Sequence, residues 1–308
     1  MHEAEFLPGY ARMDAAELAD RAAALRAAMR SCRLCPRNCG VDRLAGETGV
    51  CRVGADLVVS SYGPHFGEES PLVGQHGSGT IFLTYCNLRC IFCQNYEISQ
   101  LGEGDAVSPE AGAQIMLSLQ RRGCHNINWV TPTHQVAMLV EATRIARDEG
   151  LRVPIVYNCG GYEAVDTLRL LEGIVDIYMP DAKYGDNEPG RRLSGVPDYW
   201  DRNREALAEM HRQVGDLRIN ARGVATRGLL VRHLVLPNDL ARTQAVMSYL
   251  ASLSRNTYVN VMAQYRPEYR AREMAEIARP ITREEFARAV QMALDAGLTR
   301  LDERWARR

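Results

Sequence analysis

The sequence predicts an α/β fold with a mainly parallel sheet, preceded by a cysteine-rich module. Three observations carry that reading. Six near-continuous apolar runs follow one another from Gly79 onward, the kind that a parallel sheet buries on both faces. Helical segments separate these runs, so that β-α units repeat. Upstream, four cysteines crowd into residues 32–51, a stretch rich in Gly and Arg.

The elements follow in chain order. Asp14 with Glu17 three residues on is a capping-box signature, and Leu18, Leu25 and Met29 share one helical face, which predicts a helix to about residue 30. The Cys-rich stretch runs to about residue 60. Residues 61–78 (SYGPHFGEESPLVGQHGS) read as an irregular connection punctuated by Pro and Gly. Strands are expected in GTIFLTYC, NINWVT, VPIVYNC, IVDIYMPD, GLLVRHLVLP and TYVNVMAQY. Between them, Ser108-Pro109-Glu110 opens a helix through Leu119, and helices are expected over 133–149, 162–171 and 239–253. Thr282 with Glu285 caps a last helix ending near Gly297. The expected divisions are a helix and four-Cys module with its linker over 1–78, a β/α body over 79–265, and a helical extension over 266–308. Periodicity leaves open whether the body is a partial barrel or a doubly wound sheet.

Composition excludes several classes. A net charge of -1 and a pI near 6.7 give no electrostatic reason to expect nucleic-acid binding. No run of about 18 apolar residues exists. The start MHEAEFLPGYARMD lacks a basic then apolar leader, so no membrane partner and a cytoplasmic location are expected. In a reducing compartment the nine cysteines read as metal ligands before disulfides. Every basic residue but Lys183 is an arginine.

Directly after the first expected strand stands Cys86-Asn87-Leu88-Arg89-Cys90-Ile91-Phe92-Cys93, a C-x3-C-x2-C spacing. Three thiolates on one short loop hold three irons of a cubane cluster and leave the fourth open for a substrate or cofactor. A site meant for chemistry keeps such an opening, as catalytic zinc does. Structural thiols that meet by chance are the plain alternative.

CNLRCIFCQN resembles the cluster loop of radical S-adenosylmethionine (radical SAM) enzymes. The resemblance implies a 4Fe-4S cluster on Cys86, Cys90 and Cys93, with S-adenosylmethionine chelated at the open iron. It implies reductive cleavage to a 5′-deoxyadenosyl radical, and a one-electron donor such as flavodoxin or ferredoxin. It also implies the fold, a partial (β/α)6 TIM-like barrel of the radical SAM type behind the N-terminal Cys-rich module. Within the family the chain looks most like the activating enzymes of glycyl-radical proteins, such as pyruvate formate-lyase activating enzyme, which implies hydrogen abstraction from a protein or peptide. The same chemistry on a small metabolite is the alternative. A non-catalytic iron-sulfur or zinc protein is a third reading, disfavoured because an electron carrier has no use for Asp181 and Lys183.

Site residues follow from the same resemblance. Asp181-Ala182-Lys183 resembles the Asp-Leu-Lys whose acid and amine contact S-adenosylmethionine, and Asn158 looks like the Asn of a Thr-Asn-Gly segment. Arg232 resembles an Arg of a similar fifth strand, and Tyr265-Arg266 sits where those enzymes have Tyr-His. Where they carry Gly-Gly-Glu, this chain has Thr131-Pro132-Thr133-His134, making Thr131, Thr133 and His134 cofactor contacts by position. Independently, Cys86, Thr131, Asn158, Asp181 and Tyr265 all fall at expected strand C-termini, where β/α barrels bind ligands. Arg232 lies inside its strand and reaches the interior only if its parity is inward.

The second constellation is Cys32-x2-Cys35-x3-Cys39-x11-Cys51. Four thiolates suit a closed zinc site and equally a second iron-sulfur cluster. Arg33, Arg37, Arg43 and Arg52 favour thiolates in either case. Cys124 reads as an ordinary buried residue, and Cys159 as one on the functional side. His65, Glu68 and Glu69 read as a solvated loop, with a role over the active site as the alternative, and residues 184–200 as a lid or substrate-binding loop.

Overall fold

The computed structural model describes residues 6–302. Its strands are β1 (Leu57–His65), β2 (Ser78–Leu83), β3 (Asp105–Val107), β4 (Ile127–Val130), β5 (Ile155–Cys159), β6 (Ile177–Pro180), β7 (Arg218–Ile219), β8 (Ala225–Leu234) and β9 (Tyr258–Met262). Its α-helices are α1 (Gly9–Arg12), α2 (Ala15–Ala27), α3 (Ser70–Val73), α4 (Pro109–Arg121), α5 (Val136–Asp148), α6 (Val165–Leu170), α7 (Asn187–Ser194), α8 (Tyr199–Val214), α9 (Thr243–Leu253) and α10 (Arg283–Asp295).

β2, β4, β5, β6, β8 and β9 pair in that order, each parallel to its neighbour. These are the six strands the apolar runs predict. Every residue of β5 and β6 is buried, which is why those strands read as apolar runs without alternation. The result is a mostly parallel α/β sheet consistent with a partial barrel. Short antiparallel additions flank it, β1 between β2 and β3, and β7 beside β8.

One departure concerns residues 61–78, expected to be an irregular connection. The stretch opens inside β1, whose residues 61–65 pair with β2. β3 pairs only with residues 57–59, so the second half of β1 is a sheet edge, and Gly63 and Pro64 are tolerated there although they read as punctuation. Glu68 and Glu69 are buried rather than solvated. The first long helix also stops at Ala27, short of residue 30; Asp14 caps it by accepting from the amides of Ala16 and Glu17. Thr282 and Glu285 make the reciprocal capping box on α10.

The N-terminal segment is sewn to the barrel. The Gly9 amide donates to the buried Asp176 carboxylate at 2.9 Å, and Tyr10 Oη donates to the Val153 carbonyl at 2.8 Å. α2 packs on α5, and its Leu18 and Leu25, with Met29 just beyond the helix, are completely buried in the same core as Trp129 and Leu139. Each such side chain contributes about 1.5–3 kcal/mol of burial.

Candidate active site

The parallel strands all end on one side, and their C-terminal loops converge there, the end at which barrels of this kind carry chemistry. A cavity of about 150 Å³ opens among Cys86, Cys90, Cys93, Thr131, Asn158, Asp181, Lys183 and Arg232. A second, of about 230 Å³, adjoins it, sharing Cys90, Cys93, Asp181, Lys183 and Arg232 and adding Gln94, Met262 and Gln264.

The backbone here is unusual in a way that points to function. Tyr85, Arg89 and Thr131 all adopt positive φ (67°, 60° and 62°). For a β-branched residue such as Thr131 this is an outlier that the surroundings must enforce. Its amide donates to the Asn158 carbonyl at 2.8 Å, tying the end of β4 to that of β5. A single π-helical turn over Glu97–Leu101 follows the three-Cys loop, an irregularity frequent at functional sites.

Each of the three sulfurs receives a hydrogen-bond donor. The Leu88 amide lies 3.3 Å from Cys86 Sγ, Ser194 Oγ 3.1 Å from Cys90 Sγ, and Ser99 Oγ 3.0 Å from Cys93 Sγ. Burial pushes the free thiol of Cys86 up to about 12 and raises that of Cys90, although Lys183 and Ser194 oppose the rise at Cys90. Thiols so placed become thiolates only when a cation arrives, and the donors are already aimed at the sulfurs, so the set fits a metal cluster. Gln100 Nε2, also in this cavity, is a buried donor with no partner among the described residues.

Beside the loop, the charged residues form one network. Lys183 Nζ lies 2.5 Å from Asp181 Oδ2; Arg232 Nε lies 3.1 Å from Asp181 Oδ1, and its Nη2 donates to Asn158 Oδ1 at 2.6 Å. Glu68 stands 3.7 Å from Arg232. Burial alone would raise the Asp181 carboxyl, but Lys183 and Arg232 outweigh it and hold the acid below its ordinary value. Burial likewise opposes the Lys183 ammonium, and Asp181 overrides it, so the lysine stays charged. Arg232 parity is therefore inward, while its neighbour His233 turns the other way to the Ala182 carbonyl and Thr243.

Three residues expected beside the cofactor lie elsewhere. Thr133 Oγ1 donates to the buried Glu163 at 2.8 Å. His134 faces the Thr84 carbonyl at 2.9 Å through Nε2 and lines the four-Cys cavity instead. With β4 ending at Val130 and Thr131 reversing the chain, the residues that follow run into the approach to α5, behind the site. Arg266 has a side chain 68% exposed, 4.0 Å from Glu268. Of that pair it is Tyr265 that turns inward, packing on Phe92.

Sequence reasoning missed Glu163, whose partners Thr133 and Tyr157 (2.9 Å) come from other elements. It also missed Tyr199, which accepts from the Lys183 amide and donates to the Gly160 carbonyl, bracing the β5 and β6 loops. The stretch expected as a lid forms α7, whose Leu193 carbonyl accepts from the Ile91 amide, so it is fastened to the three-Cys loop.

In the N-terminal module Cys32, Cys35, Cys39 and Cys51 line one small cavity with Arg43, Gly49 and His134. Burial pushes Cys35 up to about 12 and raises Cys51. A Cβ on Gly49 would lie 2.7 Å from Cys39 Sγ, so only glycine leaves that sulfur its place. His134 is 1% exposed, burial pushes it down to about 4, and its Nδ1 has no hydrogen-bond partner among the described residues. Among the described residues no three His, Cys, Asp or Glu side chains converge as for a single ion. All nine cysteines are free of disulfides. No helix among the described residues is long and apolar enough to cross a membrane.

The sequence profile of the Radical SAM superfamily matches residues 80–228. Uncharacterized protein MJ0674 of Methanocaldococcus jannaschii is 34% identical over 275 residues, covering 86% of this chain and 74% of its own length. Uncharacterized protein MJ0808 of the same organism is 26% identical over 159 residues, 46% of each chain. Among solved structures, methylornithine synthase (PylB) matches with a TM-score of 0.47 at 18% identity, and the match covers 70% of this chain but only 62% of that one.

Proposed function

We propose, from the premise that the chain belongs to the Radical SAM superfamily, that it binds a 4Fe-4S cluster on Cys86, Cys90 and Cys93 and uses S-adenosylmethionine for hydrogen abstraction from a protein or peptide substrate. The observation that carries this is the three-thiol loop with a hydrogen-bond donor at every sulfur, facing the Asp181-Lys183-Arg232 network across one cavity. When bound, the cluster would supply the electron that cleaves the sulfonium and starts radical chemistry. Everything else is the chain's own work. Asp181 and Lys183 offer fixed opposite charges suited to the amino and carboxylate groups of an amino acid. Arg232 and Asn158 hold that pair in place, and the buried loops keep water from the reacting end.

Likeness to glycyl-radical activating enzymes supports a protein substrate, with flavodoxin or ferredoxin as the electron donor. One observation favours the second reading, a small metabolite. The 230 Å³ cavity is of small-molecule size and ends at Gln264, whose Oε1 has no hydrogen-bond partner among the described residues. A second metal, zinc or iron-sulfur, on Cys32, Cys35, Cys39 and Cys51 is supported by the orphaned Nδ1 of His134 and by the space that Gly49 leaves.

Anaerobic reconstitution with iron and zinc counting, followed by a 5′-deoxyadenosine assay with and without dithionite, tests the whole reading. Cys90→Ala should retain the second metal, lose the iron of the first site and form no 5′-deoxyadenosine. Full product formation by that variant would sink the assignment. Cys35→Ala should lose only the second metal.

A further inference from the structure

Arg37 stands between two cysteines of the N-terminal module, yet its side chain is spent on the active site. Nε donates to the Asn87 carbonyl at 2.9 Å and Nη2 to the Leu88 carbonyl at 3.1 Å. Nη2 also donates to the Ser194 carbonyl at 3.0 Å, and Nη1 to the Gly195 carbonyl at 2.7 Å. Asn87 and Leu88 lie between Cys86 and Cys90, and Ser194 is the residue whose hydroxyl meets Cys90.

The two loop carbonyls belong to peptide units whose other ends face a sulfur. The Asn87 carbonyl shares its peptide with the Leu88 amide, 3.3 Å from Cys86 Sγ. The Leu88 carbonyl shares its peptide with the Arg89 amide, whose N-H also favours the Cys86 thiolate. Arg89 has a positive φ of 60°, a backbone state that the surrounding contacts of this loop must hold. One guanidinium thus grips the oxygen ends of both peptides while their N-H ends point at one thiolate. Hydrogen bonds in such a chain polarise one another, and donors to cluster sulfurs raise a cluster's reduction potential by favouring the more negative, reduced form.

We propose that Arg37 is a positioning residue that orients and polarises the Asn87-Leu88 and Leu88-Arg89 peptides, making the cluster on Cys86, Cys90 and Cys93 easier to reduce. The N-terminal module therefore sets the electronics of the active site without touching the substrate. The inference rests on the cluster assignment above and adds to it a source of redox tuning outside the barrel.

The test is a redox titration followed by electron paramagnetic resonance on the full-length, iron-loaded protein without S-adenosylmethionine. At the midpoint of the unaltered protein, Arg37→Gln should lower the reduced-to-oxidised ratio about tenfold, which is about 59 mV for a one-electron couple. Iron content should stay unchanged, while the thermal midpoint should fall because four carbonyls lose their donor. Arg37→Lys keeps the charge but loses the fork that spans several carbonyls; it should fall between the two. A folded, iron-loaded Arg37→Gln protein that titrates at the unaltered potential overturns the inference. Should the Gln variant fail to fold, Arg37→Lys decides by the same readout, an unshifted potential overturning the inference. An unaltered chain that takes up no iron overturns the cluster assignment instead, so the two failures are distinct.

Discussion

A chain with one lysine places it where a compact ammonium meets a buried carboxylate, and Lys183 was legible for that reason. Its ammonium meets Asp181 at 2.5 Å as a compact point charge, a contact that the longer planar head of arginine would not reproduce. Glu163 shows the opposite case, because nothing in Gly-Gly-Tyr-Glu marks a buried acid. Burial pushes its carboxyl up to about 7 from an ordinary 4.5, against hydrogen bonds from Thr133 and Tyr157. The folded chain therefore holds this proton more tightly than the unfolded one. Stability contributed here falls as pH rises from 4.5 to about 7 and levels off above, by roughly 3 kcal/mol in all. Glu163→Gln carries no proton and should lose that slope. Urea unfolding at pH 5 and pH 8 should show the variant gaining on the unaltered protein at the higher pH. A constant difference between the two would mean that Glu163 ionises normally.

Among the elements, the parallel strands and their helices were readable because burial on both faces writes itself as apolar runs. The antiparallel β1 was not, since its second half is exposed or partly exposed and carries Gly63 and Pro64. The strand-end loops were only half readable. The glycine pair after β5 signals a turn, but not that Gly161 presses on the end of β6. Gly161 has φ +75°, and a Cβ there would lie 2.0 Å from the Asp181 carbonyl oxygen and 2.3 Å from Asn203 Nδ2. Asn203 in turn donates to the carbonyls of both Gly161 and Asp181. Gly161→Ala meets a left-handed backbone penalty of about 1–2 kcal/mol and overpacking of about 1–3 kcal/mol. The variant should be destabilised by the sum, read from the denaturant midpoint, and should bind S-adenosylmethionine more weakly because the Asp181 backbone is displaced. Alanine accepted at no cost would show that the two loops are not in contact in solution.

For the whole molecule, the question is whether the N-terminal segment is a separate unit that happens to carry cysteines or a part of the barrel. The four-Cys spacing reads as a self-contained metal module. Packing says otherwise, because Leu18, Leu25, Met29 and Leu34 join the apolar cluster that holds Trp129 and Leu139. Arg37 and the Gly9–Asp176 bond close the same seam at two further points. Such long-range partners leave no local trace in a sequence, which is why the module looked detachable. Leu25 is wholly buried between α2 and the barrel helices, so Leu25→Ala should cost about 2–5 kcal/mol. If the core is continuous, that loss belongs to the barrel as well. Urea unfolding followed by circular dichroism, a signal dominated by the barrel helices, should then remain one transition with its midpoint lowered. A split into two transitions, the larger one unmoved, would show that the module folds apart from the barrel, and the seam through Arg37 would then be a contact between two bodies instead of the interior of one.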